Sequence, residues 1–373
     1  MTTARPGSLR RLIDVVAEAS PTGIAVFTGG RSFSASGAIE IVARAVNGLP
    51  IARIGHVTPN PTLEDVVRAR EQYLKVEPEL IIAVGGGSVI DLAKTVRAVA
   101  KAPDVRTAIT DGPPAGTGPP LVAIPTTAGT GSEATHFATV YIDGVKHSVT
   151  NRNMRPDVVI LDPELTASLP PDITASTGLD ALAQAIESMW STRSTEESRR
   201  YSAAALDRLT HAIEGAVLEP DLALRTAMLD GAHLAGRAID ISRTTAAHAL
   251  SYALTARYGV PHGHAAALTL GPLLVYNAAV SDADVRDSRG VRHVRTVIAA
   301  ISDLLGAADA ERAGRSIQQL IERIGLPARL SAVGVHSADD RAALAESVDV
   351  ERLDNNPRAL THERLVALLG EIR

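Results

Sequence analysis

Short runs of β-branched and aliphatic residues alternate with longer helical patterns through the first third of this sequence. Apolar runs at 23–28, 52–57, 80–85 and 121–126 predict strands, with helical patterns between the first three and after the third. This alternation is typical of a parallel α/β sheet with helices on both faces. The glycine- and proline-rich segment 104–120 is predicted to be a loop between elements.

The pattern changes beyond about Asp162. Strand patterns cease there, and alanine- and leucine-rich helical segments run to the end of the chain. Prolines predict the breaks between these helices: Pro170, Pro171, Pro220, Pro261 and Pro327. The sequence therefore predicts two domains, an α/β domain at 1–162 and an all-α domain at 163–373.

Composition excludes several classes of protein. The chain has 373 residues, a formal net charge of -5 and no cysteine, so thiolate and disulfide chemistry is ruled out. Its cations are dispersed, which argues against a nucleic-acid-binding stripe or a polybasic membrane anchor. No apolar run is long enough to span a membrane, and the segment MTTARPGSLRRL lacks the apolar core of a signal peptide. We therefore expect a cytoplasmic protein.

A triple-glycine turn follows the third predicted strand. Gly85, Gly86, Gly87 and Ser88 close that strand and open a helix, an arrangement whose backbone N–H groups hold a pyrophosphate in many proteins. A tight turn also needs glycine for steric reasons alone, and both interpretations fit the residues. The GxGxxG pattern of ordinary Rossmann domains is absent, so that subtype is not indicated.

Two further stretches follow in the same domain. The run PTTAGTGSE at 125–133 combines hydroxyl residues with glycines, which suits phosphate or ribose; alternatively, Ser132 caps a helix with Glu133 in its first turn. Asp143 and Gly144 predict a hairpin turn, with Lys146 on the outgoing strand. A lysine on a strand is usually solvated.

Polar side chains in the helical half predict a metal site. Asp180 and Gln184 are four residues apart, so a helix places both on one face. His248 opens an apolar helical run, whereas His262 lies between Pro261 and Gly263, where a helix must break. One carboxylate, one amide and two imidazoles suit a divalent ion of the iron, zinc or manganese type. A histidine in an alanine-rich helix is more often simply packed.

Several motifs in one order carry a family resemblance. GGGSVIDLAKT, IPTTAGTGSEAT, GVKHSV, PDVVILDPEL, TGLDALAQAIE and PHGHA closely resemble the iron-containing (group III) alcohol dehydrogenase family over nearly the whole chain. The resemblance implies a Rossmann-like dinucleotide-binding α/β domain and an all-α metal and substrate domain. This two-domain layout is shared with dehydroquinate synthase. It also implies hydride transfer at a metal site between the domains, and a homodimer or larger homo-oligomer.

The resemblance also assigns residues by position. It places the dinucleotide near the first strand end, the asparagine of TPNPT, the glycine turn and the hydroxyl-rich run, with Lys146 near the nicotinamide ribose and the substrate. The cofactor set is Gly29, Asn60, Gly86, Gly87, Ser88, Asp91, Thr126, Thr127, Thr130, Ser132 and Lys146. The metal set is Asp180, Gln184, His248 and His262.

Two metal-site positions depart from the family pattern. Gln184 stands where a histidine ligand is expected, and Tyr252 replaces a further histidine one turn beyond His248. An amide oxygen is a poorer ligand than imidazole for Fe²⁺ or Zn²⁺, so we expect a weakened metal site. The alternative is an enzyme without metal, in which Lys146 or a protonated histidine stabilises the alkoxide.

The first strand end bears on cofactor choice. Thr28-Gly29-Gly30-Arg31-Ser32 has no carboxylate where NAD-preferring relatives have an acidic residue for the ribose hydroxyls. Arg31 and Ser32 can accept a 2′-phosphate, so the sequence predicts NADP(H) with a mild preference over NAD(H).

Cations in or near the expected site indicate an anionic substrate: His147, Arg152, Arg155, Arg243, His264 and Arg358. ALAQAIESMWS with TEESR, HALSYALTARYGVPHGHA and the NNPR segment near Arg358 resemble the phosphonoacetaldehyde reductase branch of the family. This resemblance implies a role in phosphonate biosynthesis. For substrate contacts we predict Arg152, Arg243, Tyr252 and Arg358, because a phosphonate dianion needs bidentate arginine or several N–H donors. The predicted catalytic residues are Lys146, His262 and His264, with a histidine or bound water relaying the proton.

Three alternative functions stay open from the sequence. The first is a simple-alcohol dehydrogenase of the same family, and the second a metal-dependent sugar-phosphate cyclase resembling dehydroquinate synthase, whose ligand set begins with glutamate. The third is a non-catalytic dinucleotide-binding homologue that lost its metal when Gln184 appeared.

Overall fold

The structure is a computed structural model that describes residues 2–55, 57–114, 116, 118–348 and 353–372. The chain divides into two compact units. The first comprises Met1–Leu169 with Asp221–Asp230, and the second comprises Pro170–Pro220 with Gly231–Arg373.

A parallel sheet forms the centre of the first unit, as predicted. Its strands follow one another in the order β2-β1-β3-β4-β7, and every pairing is parallel. The strands are β1 (Ile24–Thr28), β2 (Ile51–Ile54), β3 (Leu80–Gly85), β4 (Leu121–Pro125) and β7 (Val158–Val159). Strand β2 ends earlier than the predicted run 52–57 because the chain leaves the ladder at Gly55.

Helices cover both faces of this sheet. They are α1 (Arg11–Ala19), α2 (Arg31–Ala35), α3 (Ala38–Ala45), α4 (Leu63–Leu74), α5 (Gly87–Val99) and α6 (Val105–Thr110). Alternate residues of each strand feed separate cores. Ala25 and Phe27 pack with α4, α5 and α6, while Ile24 and Val26 pack with α1 and α3.

Helix α6 corrects the prediction of a loop over 104–120. The Asp104 carboxylate accepts a hydrogen bond of 2.6 Å from the backbone N–H of Thr107 and so caps the helix. Val105, Ala108 and Ile109 recur at helical spacing and are buried. The glycines and prolines that indicated a loop all follow this short helix in the sequence.

A β-hairpin lies beside the parallel sheet. Strands β5 (Phe137–Ile142) and β6 (Val145–Thr150) pair antiparallel. Asp143 and Gly144 join them with φ angles of 51° and 79°, the left-handed pair that a two-residue hairpin turn requires. The predicted hairpin is confirmed. Ser132 does not cap an α-helix, because it is the first residue of a 3-10 turn, Ser132–Ala134, whose N-cap is Gly131.

Long helices build the second unit, as the sequence predicts. They are α7 (Pro171–Trp190), α8 (Glu196–Leu218), α9 (Leu222–Ser242), α10 (Ala246–Tyr258), α11 (His262–Ala278), α12 (Val291–Leu304), α13 (Ala310–Arg323), α14 (Ala338–Glu346) and α15 (His362–Glu371). The predicted proline breaks fall at Pro171, Pro220, Pro261 and Pro327, each at or next to an interhelical segment. Among the described residues, no helix has the length and apolar character needed to cross a membrane.

Candidate active site

The glycine turn lies where the order of strands in the sheet reverses. From β1 the chain forms β2 on one side and then crosses to β3 on the other side of β1. The Gly29 N–H donates to the Val84 carbonyl at 3.2 Å, and the Thr126 N–H donates to the Gly85 carbonyl at 3.0 Å. The carboxyl ends of β1, β3 and β4 therefore meet around the glycine turn. In open α/β sheets a ligand binds at this point of reversal.

Close packing explains why the turn needs glycine. A Cβ added at Gly87 would lie 2.6 Å from Thr130 Oγ1, and one added at Gly86 would lie 3.3 Å from Thr127 Oγ1. Helix α5 begins at Gly87, so its first N–H groups face outward over bare backbone. A dinucleotide pyrophosphate suits such a surface, because Gly86 and Gly87 carry no side chain that would keep a phosphate from these N–H groups.

Polar groups from two other segments surround the turn. Asn60 adopts a left-handed φ of 58°, and its N–H donates to Ser88 Oγ at 3.2 Å. Thr126 is fully buried, and its Oγ1 has no hydrogen-bond partner within the part of the chain that the structure describes. The side chains of Arg31 and Ser32, on which the NADP(H) preference rests, lie outside the described residues.

Two members of the predicted cofactor set bind each other. Ser132 Oγ donates to Asp91 Oδ1, and Asp91 Oδ2 accepts from the Thr139 N–H at 2.9 Å. The hydroxyl proton of Ser132 is therefore already used within the protein. Lys94, which was not among the predicted site residues, is fully buried and donates to Ser132 Oγ at 3.0 Å. Its spacing of three from Asp91 on a helix was the available signal.

Two predicted residues lie on or after the hairpin. Lys146 on β6 is half-buried and opposite Tyr141 in the strand register. Arg152 begins the 3-10 turn that follows β6 and is exposed. The roles assigned to Lys146 and Arg152 stay predictions.

Three predicted metal ligands come together in the second unit. Asp180 on α7, His248 on α10 and His262 at the start of α11 each offer one ligand atom, and these atoms lie within 4.8 Å of one another. His248 Nε2 is 3.1 Å from Asp180 Oδ1. Asp180 and His248 are each 4% exposed. A carboxylate with two imidazoles is a ligand set that suits Fe²⁺, and two imidazoles with oxygen also suit Zn²⁺.

Helix packing brings His262 to this position. A Cβ at Gly263 would lie 2.0 Å from the Ser176 carbonyl oxygen and 2.6 Å from Asp180 Cβ, so the first turn of α11 rests directly on the backbone of α7. Only glycine fits there. The PHG sequence therefore starts the helix at Pro261 and also permits the contact that places His262 beside Asp180.

Glu187, which was not among the predicted site residues, orients His248. It is fully buried on α7, and its Oε2 pairs with His248 Nδ1. Its Oε1 accepts from the Thr245 N–H at 3.0 Å, from Thr245 Oγ1 at 2.6 Å and from the Ala247 N–H at 2.9 Å. Its distance of seven residues from Asp180, two helical turns, was the available signal.

The charges of this pair stabilise each other. Burial acts to lower the pKa of His248, but the Glu187 charge and the bond to Asp180 outweigh it and raise that pKa well above its ordinary value. Burial likewise acts to raise the pKa of Glu187, and the His248 charge reverses the effect and lowers it. Because Nδ1 faces Glu187, Nε2 is the nitrogen that His248 directs at Asp180.

A serine fixes the orientation of the second imidazole. Ser251 Oγ donates to the His248 carbonyl at 2.7 Å, so the same oxygen must accept from His262 Nδ1, which lies 3.1 Å away. The Nε2 atom of His262 then carries the lone pair that a metal needs. Tyr252 stacks on this imidazole, with ring centroids 5.5 Å apart and an interplanar angle of 7°.

Gln184 is buried, 4% exposed, one helical turn from Asp180 on α7. The remaining predicted residues have other surroundings. His264 Nε2 donates to the Pro327 carbonyl at 2.6 Å, and burial lowers the pKa of this histidine despite that bond. Arg358 Nε donates to Asp284 at 2.6 Å, and its guanidinium lies over the Tyr276 ring. Neither residue joins the Asp180–His248–His262 group.

Arg243 lies in the segment between α9 and α10. It has a left-handed φ of 62°, unusual for a residue with a side chain, and is half-buried. Thr245, two residues on, holds Glu187, so Arg243 belongs to the same segment that orients His248.

Comparisons with known proteins agree with this geometry. Residues 2–163 match the family "Iron-containing alcohol dehydrogenase", and residues 174–372 match "Fe-containing alcohol dehydrogenase family, C-terminal". The chain is 42% identical to phosphonoacetaldehyde reductase from Streptomyces viridochromogenes over 84% of this chain and 82% of that protein. It is 32% identical to a 1-propanol dehydrogenase of Salmonella typhimurium, with 87% of each chain covered.

A solved structure shows the same fold. Sulfoacetaldehyde reductase from Bifidobacterium kashiwanohense, in complex with NAD+, is 29% identical and superposes with a TM-score of 0.86, covering 99% of this chain and 96% of that one.

Proposed function

This chain belongs to the iron-containing alcohol dehydrogenase family, and from that membership we propose that it reduces a small anionic aldehyde with NAD(P)H. It is an NAD(P)-dependent alcohol dehydrogenase or aldehyde reductase. The substrate we propose is phosphonoacetaldehyde, which hydride transfer would convert to 2-hydroxyethylphosphonate.

The 42% identity to a phosphonoacetaldehyde reductase is the observation that carries this proposal. The sulfoacetaldehyde reductase adds support, because its named substrate is also a two-carbon aldehyde with an acidic group. Phosphonate biosynthesis, a cytoplasmic location and a homodimer or larger homo-oligomer stay predictions.

The cofactor set and the metal set divide the chemistry between them. When bound, the nicotinamide supplies the hydride and the divalent ion polarises the aldehyde oxygen. Asp180, His248 and His262 would hold the ion, with Gln184 beside them as a weak further ligand. Glu187 and Ser251 keep Nε2 of each imidazole available to it.

We propose that water delivers the proton to the product oxygen. His262 Nδ1 is bonded to Ser251 and its Nε2 belongs to the ligand group, while His264 Nε2 is bonded to Pro327. Neither imidazole keeps both nitrogens available for a relay. Lys146 is proposed to contact the nicotinamide ribose.

We propose Arg243 as the main contact for the anionic group. It lies five residues before His248, in the same segment that supports Glu187. Tyr252, stacked on His262, is proposed to border the carbon chain of the substrate. Asp284 and the Tyr276 carbonyl already accept hydrogen bonds from Arg358, so this arginine is engaged within the protein.

Steady-state kinetics with phosphonoacetaldehyde, sulfoacetaldehyde and propanal test this proposal, each with NADPH and with NADH. We expect kcat/KM for phosphonoacetaldehyde to exceed that for propanal by at least about 100-fold, the value of a charge-assisted hydrogen bond lost with the anion. NADPH should be used somewhat better than NADH. Equal efficiency on phosphonoacetaldehyde and propanal would contradict anion recognition and favour a simple-alcohol enzyme.

A pair of arginine variants locates the anion site. Arg243→Met should lower kcat/KM for phosphonoacetaldehyde by at least about tenfold and leave that for propanal within about threefold. Arg237→Met is the matched control, because this arginine on α9 lies over the Tyr201 ring, 4.1 Å from its centroid. If both variants act equally on both aldehydes, Arg243 does not bind the anion.

A further inference from the structure

A lysine is fully buried beneath the proposed cofactor site. Lys94 on α5 is 0% exposed, and its Nζ donates to Ser132 Oγ at 3.0 Å, to Thr135 Oγ1 at 2.9 Å and to the Phe137 carbonyl at 2.8 Å. An ammonium has three N–H donors, so these bonds match its capacity. Removing a charged group from water is unfavourable even when hydrogen bonds satisfy its donors, so a fully buried lysine here indicates a specific role.

The carboxylate one turn earlier binds the same segment. Asp91 Oδ1 lies 3.8 Å from Lys94 Nζ and accepts from Ser132 Oγ, and Asp91 Oδ2 accepts from the Thr139 N–H. Two side chains of α5 therefore hold the chain from 132 to 139 at four residues. The contacts of Lys94 and Asp91 are polar and are not part of an apolar core. The two side chains therefore act together as a specific clamp, which holds this one segment against α5.

That segment continues directly from the hydroxyl-rich loop. The loop begins at Thr126, whose N–H is bonded to the Gly85 carbonyl of the glycine turn. Between Thr126 and Ser132 it contains Gly129 and Gly131, the latter with a left-handed φ of 62°. Backbone bonding to β3 thus fixes one end of this glycine-containing loop, and the side chains of α5 fix the other end.

The contacts of Lys94 and Asp91 control the distance between the 126–132 loop and the 85–88 turn. Thr130 Oγ1 would lie 2.6 Å from a Cβ at Gly87, so the loop packs against the turn without room for an added methyl group. Helix α5 supplies both the turn, at its first residue, and the clamp, in its next two turns. A rigid helix therefore sets how far the loop stands from the N–H groups of the turn.

We propose that Lys94, together with Asp91, is a positioning residue for the dinucleotide pyrophosphate. It holds the 126–132 loop packed against the 85–88 turn, and so fixes the positions of the backbone N–H groups and hydroxyls that would bind the two phosphates. This inference rests on the placement of the cofactor at the glycine turn under the proposed function. Asp91 then acts through Ser132 and Thr139, and direct contact of its carboxylate with the phosphates is not part of its role.

Lys94→Met tests the proposal, because methionine has similar length and no charge or N–H donors. We expect the Kd for NADPH and for ADP, measured by fluorescence quenching and calorimetry, to rise at least about tenfold. The KM for NADPH should rise with it, while kcat at saturating NADPH stays within about threefold. Metal content should not change, since the ligand group lies in the other unit.

Arg70→Met is the matched control. Arg70 on α4 donates to the carbonyl oxygens of Ala100 and Ala102 at 3.0 and 2.9 Å, beyond the opposite end of α5 from the turn. It should lower thermal stability without changing either Kd. If Lys94→Met lowers thermal stability and leaves both Kd values unchanged, Lys94 is a folding residue and the proposal is wrong.

A second variant and a hydrogen-exchange measurement complete the test of Lys94. Should Lys94→Met fail to fold, Thr135→Val removes one acceptor of the ammonium with little change of shape, and it must raise both Kd values severalfold for the proposal to stand. Hydrogen exchange at 85–90, with and without NADPH, tests cofactor placement separately. If NADPH protects 85–90 from exchange and the Kd for NADPH is unaltered in Lys94→Met, only the role of Lys94 is contradicted. If NADPH gives no protection at 85–90, the placement of the cofactor at the glycine turn is contradicted.

Discussion

In the candidate metal site a different group binds Nδ1 of each imidazole, and His248 directs its Nε2 at Asp180. For His248 that group is a buried carboxylate, Glu187, and for His262 it is the hydroxyl of Ser251. These partners decide which nitrogen carries a proton, and hence which nitrogen can bind a cation. A conservative change in Glu187 or Ser251 should therefore lower metal affinity more than it lowers the stability of the fold.

Glu187→Gln should weaken Fe²⁺ or Zn²⁺ binding by about 10- to 100-fold. The amide –NH₂ group replaces the oxygen that faces His248 Nδ1, and this favours the tautomer with the proton on Nε2, where the metal would bind. Competition with a chelator of known affinity measures the effect. Glu197→Gln, at an exposed position on α8, is the control. Unchanged metal affinity in Glu187→Gln would show that His248 is not a ligand.

Gln184→His should tighten iron or zinc binding at least about tenfold, because imidazole is the better donor and the position is buried one turn from Asp180. Metal analysis after purification without chelators, followed by chelator competition, measures this. Gln72→His on α4, in the other unit, controls for a histidine added elsewhere. Metal content and activity equal to those of the parent would place Gln184 away from the ion.

At the scale of elements, close contact between helices α7 and α11 brings two of the metal ligands, Asp180 and His262, together. Helix α11 touches α7 at Gly263, and it touches α13 where Gly271 meets Gly314, a Cβ at Gly271 lying 2.9 Å from the Gly314 carbonyl oxygen. Such backbone contacts fix helix spacing more tightly than contacts through flexible side chains. The segment between α14 and α15 adds a polar anchor, since Asn355 Nδ2 donates to the carbonyls of Ser242 and Thr244 at 2.9 Å.

Gly263→Ala should destabilise the protein by about 3 kcal/mol and reduce metal content, because the added methyl group forces α11 away from Asp180. Chemical denaturation and metal analysis on the same preparation test both effects. Gly370→Ala on α15 is the matched helical control, since its nearest neighbour, Arg341 Nε, lies 4.0 Å from the new Cβ. It should be neutral or slightly stabilising. A fully stable Gly263→Ala protein with normal metal content would refute the packing argument.

At the scale of the whole molecule, cofactor and metal residues belong to different compact units. The glycine turn and its surrounding loops lie in Met1–Leu169, and the Asp180–His248–His262 group lies in the unit that contains α7, α10 and α11. No predicted pyrophosphate contact is also a predicted metal ligand. The two binding events should therefore be separable in solution.

Removal of the metal should leave dinucleotide affinity nearly intact. We expect chelator-treated protein to bind NADPH with a Kd within about threefold of the metal-loaded value, because the backbone amides of the turn supply most of the affinity. Aldehyde reduction should fall by at least about 100-fold and return when Fe²⁺ or Zn²⁺ is added. A Kd that rises more than tenfold on chelation would show that the ion takes part in holding the dinucleotide.

The prediction of the fold succeeded where local patterns coincide with tertiary structure. Strands buried on both faces read as continuous apolar runs, and prolines marked the helix breaks, so the parallel sheet and the helical unit were both predicted. The prediction of a loop over 104–120 was wrong, because the segment begins with α6, a single short helix. The signal of its N-cap, Asp104, is weaker than that of the glycines and prolines that follow.

The sequence by itself determined the elements, their class and the residue types that can bind phosphate and a divalent ion, because these follow from periodicity and side-chain chemistry over short spans. Only the tertiary structure decided that Ser132 binds Asp91, that Lys94 donates to Ser132, and that Glu187 pairs with His248. It also gave His264 and Arg358 partners outside the ligand group. Those outcomes depend on contacts between residues from 38 to 74 positions apart in the chain, which no local pattern encodes.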